Sequence, residues 1–189
     1  MFDLPCVIFA GGKSSRMGQD KSLLPFGGYD TLTQFQYKRL KLLFTDVYIS
    51  AKSADKFTFD APVIEDPEGC DVFAPTAGFV SLFQTLESER VFVLSVDTPF
   101  VTETEIAALL DEDRNDLDAV IARTDSGSHP MCGIYHRSLQ TAFETMLREE
   151  NHRLGMLLKK SRTRFVAFED EEPFTNLNHP HEYEKACRR

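Results

Sequence analysis

Short, wholly apolar runs alternate along this chain with longer segments whose apolar residues recur every three or four positions. Residues 6–10 (CVIFA) are apolar throughout, as a strand covered on both faces should be. Residues 46–51 (DVYISA) and 61–65 (APVIE) read as further short strands, and 91–96 (VFVLSV) as the clearest buried one. Between them, residues 31–44 carry Leu32, Phe35, Leu40 and Leu43 at near-helical spacing. Residues 75–86 place Phe79, Leu82, Phe83 and Leu86 at i, i+3, i+4 and i+7, one apolar face of a helix. Thr102, followed three positions later by Glu105, predicts a capping box at the head of another. Shorter strand candidates follow at 119–122, 133–135 and 164–168. Helical spacing returns at 138–149, with Ser138 as its predicted N-cap, and at 154–160. Strands alternating with helices predict βαβ units, hence a three-layer α/β domain over residues 1–189 with a mainly parallel central sheet flanked by helices. The acidic run 169–172 is expected to be a solvated loop.

Composition narrows the function more than the fold. With 189 residues, 42% hydrophobic, the chain is long enough to bury a core without covalent staples. Its net charge of −9 argues against sequence-independent nucleic-acid binding or an anionic membrane surface. An anionic substrate would have to be met by a local basic pocket. Cys6, Cys70, Cys132 and Cys187 are 55 to 64 residues apart, so neither a zinc ribbon nor a dithiol redox motif is encoded. The first residues lack the basic start and long apolar run of a signal peptide, and no stretch is long enough to span a bilayer, which together predict a cytoplasmic, soluble protein.

That local basic pocket is visible in FAGGKSSRMGQDK, residues 9–21, directly after the first strand. Glycines let backbone N–H groups approach an anion closely, so Gly11 and Gly12 suit a phosphate cradle. Lys13, Arg16 and Lys21 supply positive charge within nine residues. The spacing fits neither a Walker A loop nor the dinucleotide GxGxxG. Further along, Asp97 stands at the end of the strand VFVLSV, and Asp66 ends the strand before it. Each could serve as a turn or cap residue or as a ligand contact. His179 and His181, two residues apart, and His129, three before Cys132, lack a third group at metal-binding spacing. His136 and His152 read as surface or half-buried residues, and His129-Pro130 as the shaper of a loop.

Residues 10–21 resemble the signature loop of the molybdenum cofactor guanylyltransferases, within the wider nucleotidyltransferase superfamily. Ile64-Glu65-Asp66, Pro75-Thr76-Ala77-Gly78, Val96-Asp97-Thr98-Pro99-Phe100, His129-Pro130 and Asn176-Leu177-Asn178-His179-Pro180 match the family pattern in the same order. The resemblance implies a Rossmann-like nucleotidyltransferase fold. It also implies transfer of GMP from GTP to Mo-molybdopterin, giving molybdopterin guanine dinucleotide and pyrophosphate. Phe9, Ala10, Gly11 and Gly12 would frame the nucleotide with Ser50 and Asp66. Arg16 and Lys21 would neutralise its phosphates, and Asp97 would hold Mg²⁺. Gly78, His129, Asn176 and Asn178 are expected on the acceptor side, the two asparagines either touching the pterin or closing a turn. A molybdenum-insertion protein and apo-molybdoenzymes or their chaperones are the implied protein partners. One position departs: the family's Asn at the end of the second strand is Ser50 here, which can donate one hydrogen bond but offers no bidentate amide.

The attacking group in such a reaction, a phosphate monoester with a second pKa near ~6, is already largely dianionic at neutral pH. No general base is therefore required, only positioning and charge neutralisation. Competing readings are a cytidylyltransferase for the same pterin, a sugar-phosphate nucleotidyltransferase, a glycosyltransferase of related topology, and a silent nucleotide-binding module that delivers cofactor. Glycosyltransferases need a second aspartate two residues from the first, which Asp97-Thr98-Pro99 lacks. A silent module would have no use for Arg16, Lys21 and Asp97 together.

Overall fold

In the computed structural model, which describes residues 1–11, 20–67 and 74–188, seven strands form one sheet. They are β1 (Cys6–Phe9), β2 (Val47–Ala51), β3 (Val63–Glu65), β4 (Arg90–Ser95), β5 (Ala119–Thr124), β6 (Gly127–His136) and β7 (Thr163–Ala167), in the order β3-β2-β1-β4-β6-β5-β7. All pairings are parallel except those of β6, which runs antiparallel to both neighbours. The helices are α1 (Leu32–Leu40), α2 (Pro75–Thr85), α3 (Glu103–Asp111), α4 (Gln140–Arg148), α5 (Leu154–Lys160) and α6 (Pro180–Ala186).

The period-2 geometry of the strands divides the core into two layers. Cys6 and Ile8 of β1 and Phe92 and Leu94 of β4 pack with Leu32, Leu40, Ile106, Leu109 and Ala186, from α1, α3 and α6. Their alternate neighbours Val7, Phe9, Val91 and Val93 face Phe79, Leu82, Phe83, Phe143 and Leu158, from α2, α4 and α5. Phe79 and Phe143 stack at 4.2 Å between ring centroids, which locks α2 to α4. Both faces of the central strands are thus covered, and this is why their sequences are apolar at every position. The expected three-layer, mainly parallel sheet is what forms.

Several local expectations need correction. Residues 133–135 are only the end of β6, a ten-residue strand. His129-Pro130 lies inside it rather than shaping a loop. Its first half, Gly-Ser-His-Pro-Met, is not fully buried at any position and carries no continuous apolar run. Ser138 does not cap α4: its hydroxyl donates to Asp118 Oδ1 (2.8 Å), while a short 3₁₀ turn over Arg137–Leu139 leads into the helix. His136 is buried, its Nε2 2.7 Å from Asp113 Oδ1. Within the acidic run, Glu171 accepts a hydrogen bond from the Ser126 amide (2.8 Å) and Glu172 opens a 3₁₀ turn. The capping box at the head of α3 forms as predicted, with Glu105 Oε2 accepting from the Thr102 amide (2.7 Å).

Candidate active site

The strand order reverses beside β1: the chain runs outward through β2 and β3, then returns to place β4 on the other side of β1. Open α/β sheets bind ligands at the carboxyl ends of strands flanking such a switch point. Here Ile64, Ser50, Phe9 and Ser95 fall in register across β3, β2, β1 and β4, one row at that edge. Two pockets open above it. The first is lined by Phe9, Gly11, Ser50, Lys52, Asp66, Ala74, Pro75, Gly78, Ser95 and Met131. The second is lined by Ser95, Asp97, Thr98, Ser128, His129, Pro130, Met131, Cys132, Asn176 and Asn178. Ser95 and Met131 belong to both, so the pockets adjoin along that pair.

The first pocket exists because α2 starts close to the sheet. Ala74 is its N-cap and Pro75 sets the first helical φ. A Cβ on Gly78 would lie 2.6 Å from both the Phe9 ring and Ser50 Oγ, so only glycine lets the helix approach this closely. Gly78 was expected on the acceptor side; the structure puts it in the pocket of Phe9, Ser50 and Asp66, because α2 covers β1 and β2. Gly78→Ala should lower stability by about 1–3 kcal/mol and displace the Phe9 ring, which a melting curve measures directly. Burial pushes the Asp66 carboxyl above its ordinary pKa, and the Lys52 charge only partly offsets this. Lys52 itself carried no sequence signal, since a lone lysine after a strand is usually a solvated end.

Lys21 reaches two residues that line the second pocket. Asp20 caps the 3₁₀ turn Lys21–Leu23, its Oδ1 accepting from the Ser22 amide (3.1 Å) and hydroxyl (2.7 Å). That turn aims the Lys21 ammonium into an ion pair with Asp97 Oδ2 and a hydrogen bond to Asn178 Oδ1 (3.0 Å). The other Asp97 oxygen accepts from the Ser95 hydroxyl (2.6 Å). Asp97 is buried, and since Thr102 and Glu105 cap α3, its carboxylate is not spent on that helix. Leu177 donates its amide to the Asp97 carbonyl (2.9 Å), which draws the 176–178 segment onto the end of β4. Glu182 accepts from the Asn178 and His179 amides (2.7 and 2.8 Å) and so holds that turn on the first turn of α6. Residues 76 to 157 positions apart in sequence thus share one cluster.

His129 contributes a fixed ring to the second pocket. It stacks on Phe174 (4.9 Å between centroids) and contacts Thr124 Oγ1 through Nε2 (3.0 Å). Burial lowers its pKa despite the opposing charge of Glu171, so the neutral imidazole is favoured. Gly12, Lys13 and Arg16 lie outside the described residues. The predicted contributors Phe9, Gly11, Ser50 and Asp66 line the first pocket, and Asp97, His129, Asn176 and Asn178 the second. The sequence alone did not single out Ser95, whose hydroxyl fixes Asp97. A polar residue closing the otherwise apolar strand VFVLS was its one signal.

Among the described residues no group of three or more His, Cys, Asp or Glu could enclose a metal ion. A magnesium site needs no such cage, because Mg²⁺ takes one or two carboxylates and keeps several waters. Asp97 offers a charged oxygen beside the Ser95 hydroxyl, a hard donor set that fits this ion. No helix among the described residues is long and apolar enough to cross a membrane.

Comparison with known proteins agrees with this geometry. A family model described as the MobA-like NTP transferase domain matches residues 6–165. A molybdenum cofactor guanylyltransferase of Campylobacter jejuni is 43% identical over 183 residues, covering 97% of this chain and 95% of that protein. One from Helicobacter pylori is 34% identical, covering 98% and 89%. Among solved structures, molybdopterin-guanine dinucleotide biosynthesis protein A from Archaeoglobus fulgidus superposes with a TM-score of 0.83 over 98% of this chain and 97% of its own, at 17% identity, a likeness of fold. With a paired lysine and aspartate at the switch point of a β3-β2-β1-β4-β6-β5-β7 sheet, and relatives matched over nearly their full length, this chain belongs to the MobA-like NTP transferase family of nucleotidyltransferases.

Proposed function

We propose that the protein transfers GMP from GTP to the terminal phosphate of Mo-molybdopterin, releasing pyrophosphate and forming molybdopterin guanine dinucleotide. The observation that carries this reading is the Lys21–Asp97–Asn178 cluster, whose Asp97 and Asn178 line the second pocket and whose Asp97 is tied to Ser95, a residue shared with the first. A nucleotide in the first pocket and a pterin phosphate in the second would meet at that cluster. Phe9, Ala10 and Gly11 frame the base, and Asp66 accepts from the N1–H and N2–H donors of guanine. The acceptor phosphate, mostly dianionic at neutral pH, attacks the α-phosphorus as the bond to pyrophosphate breaks.

Lys21, with Arg16 beside it in sequence, carries the phosphate charge. Without nucleotide, Lys21 neutralises Asp97. A triphosphate would offer Lys21 a larger charge, leaving the Asp97 carboxylate to hold Mg²⁺. Held by Asp97, such an ion would supply charge neutralisation at the phosphates. His129, Asn176 and Asn178 orient the pterin side. The reaction belongs in the cytoplasm, where a molybdenum-insertion protein would supply the pterin and apo-molybdoenzymes or their chaperones would take the product.

Ser50 does not redirect this reading toward CTP. Its hydroxyl lies against Gly78, and base choice would rest on Asp66, which would repel the N3 and O2 acceptors of cytosine. A carboxylate accepting two donors discriminates by about 1–3 kcal/mol, so GTP should exceed CTP in kcat/KM by roughly 10- to 100-fold. Asp66→Ala should collapse that ratio. The test is pyrophosphate release from each nucleotide with and without Mo-molybdopterin. Equal use of GTP and CTP by the wild type would refute the guanylyl assignment, and release that ignores the pterin would refute the acceptor.

A further inference from the structure

Lys56 lies outside both pockets and outside every motif singled out in the sequence. It closes the 3₁₀ turn Ala54–Lys56, which follows β2. Its ammonium donates to the Ala10 carbonyl (2.7 Å) and pairs with Asp20 Oδ2 (2.8 Å). Ala10 is where β1 runs out, between Phe9 and Gly11 of the first pocket, its amide donating to the Ser50 carbonyl (2.9 Å). Asp20 is the cap that shapes the turn carrying Lys21. A single side chain, 18% exposed, therefore bridges the backbone at the end of β1 and the side chain that caps the Lys21 turn, ten residues apart in sequence.

We infer that Lys56 is a positioning residue, which sets the distance between the base-framing end of β1 and the phosphate-binding turn of Lys21. This rests on the nucleotide site proposed above and adds to it a residue that touches no substrate. The two functions of Asp20 explain why the link must be charged. One oxygen is committed to the Ser22 amide and hydroxyl, so only the other can anchor the turn to β1 and β2, and it does so through Lys56. Although partial burial works the other way, the hydrogen bonds and charge of Lys56, with the Ser22 hydrogen bonds, hold the Asp20 carboxyl below its ordinary pKa. The carboxylate is therefore ionised across the neutral range, and the ion pair persists there. Losing it would leave the Lys21 turn intact but free to shift, and a misplacement near 1 Å is enough to matter at a phosphoryl site.

The test measures GTP binding by calorimetry and pyrophosphate release with Mo-molybdopterin, alongside melting curves, for Lys56→Met, Lys56→Arg, Asp20→Asn and the Lys56→Met/Asp20→Asn double variant. Lys21→Ala serves as the control for the site itself. Lys56→Met should raise the Kd and KM for GTP on the order of 10-fold, the scale on which outer partners of a site act, with a smaller change in kcat. Lys56→Arg should recover most of the loss, because a guanidinium can serve the same two acceptors. The double variant should be no worse than the poorer single one. Normal GTP binding in Lys56→Met beside impaired Lys21→Ala overturns the inference and leaves the nucleotide site standing. A lowered melting temperature with unchanged KM also overturns it, by reducing Lys56 to a structural tie. Normal GTP binding in Lys21→Ala removes the site, and the role of Lys56 goes with it.

Discussion

Asp97→Asn should lower turnover by on the order of 10²–10³, equivalent to about 3–4 kcal/mol of lost transition-state stabilisation. The amide is nearly isosteric and can still accept from the Ser95 hydroxyl, so the end of β4 keeps its geometry. What disappears is the charge that would hold Mg²⁺ and that otherwise pairs with Lys21. Nucleotide binding should fall less than kcat, since the lysine and the glycine-loop amides still meet the triphosphate. The melting temperature should drop only a little, because Lys21 retains Asn178 and about a sixth of its side chain is already in solvent. Titrating Mg²⁺ against activity in both proteins, beside their melting curves, tests this. A structural aspartate would show the reverse: a large fall in melting temperature with near-normal turnover and an unchanged Mg²⁺ dependence.

Lys21→Ala should reduce kcat/KM for GTP by on the order of 10², with KM and kcat both affected. On the proposed reading the ammonium would meet charge already present on the bound triphosphate and more that develops on the leaving pyrophosphate. A second effect follows from the ion pair. Removing the lysine leaves the Asp97 carboxylate, 11% exposed, without its cation, and an uncompensated buried charge destabilises a fold. A divalent cation can replace that charge, whereas in the wild type it must compete with Lys21. Added Mg²⁺ should therefore raise the melting temperature of Lys21→Ala more than that of the wild type. Equal shifts in the two proteins would separate Lys21 from the metal position, and an unchanged KM and kcat would place it outside the site.

Much of this was legible in the chain itself. Runs such as CVIFA and VFVLSV are apolar at every position because both faces of β1 and β4 are covered, so a layered, mostly parallel sheet followed from local pattern alone. The glycine-rich stretch after the first strand, Lys21 at its end and the aspartates closing β3 and β4 are consecutive or strand-terminal features, which a linear reading detects. Only the buried end of β6, at 133–135, was legible: its first half, Gly127–Met131, is not fully buried and has no apolar run, and its antiparallel direction depends on a partner strand rather than on its own residues. Gly78 shows the same limit. Its sequence neighbours cannot say that Phe9 and Ser50 lie against it, and that approach places it in the first pocket. Asn178 and Lys56 are the plainest cases. One meets Lys21 across 157 positions, and the other bridges Ala10 and Asp20 from a turn after the second strand. Periodicity and local chemistry determine which elements form. Which polar side chains converge is decided by strand order at the switch point, because it is the crossing of the chain beside β1 that brings distant segments to one edge of the sheet.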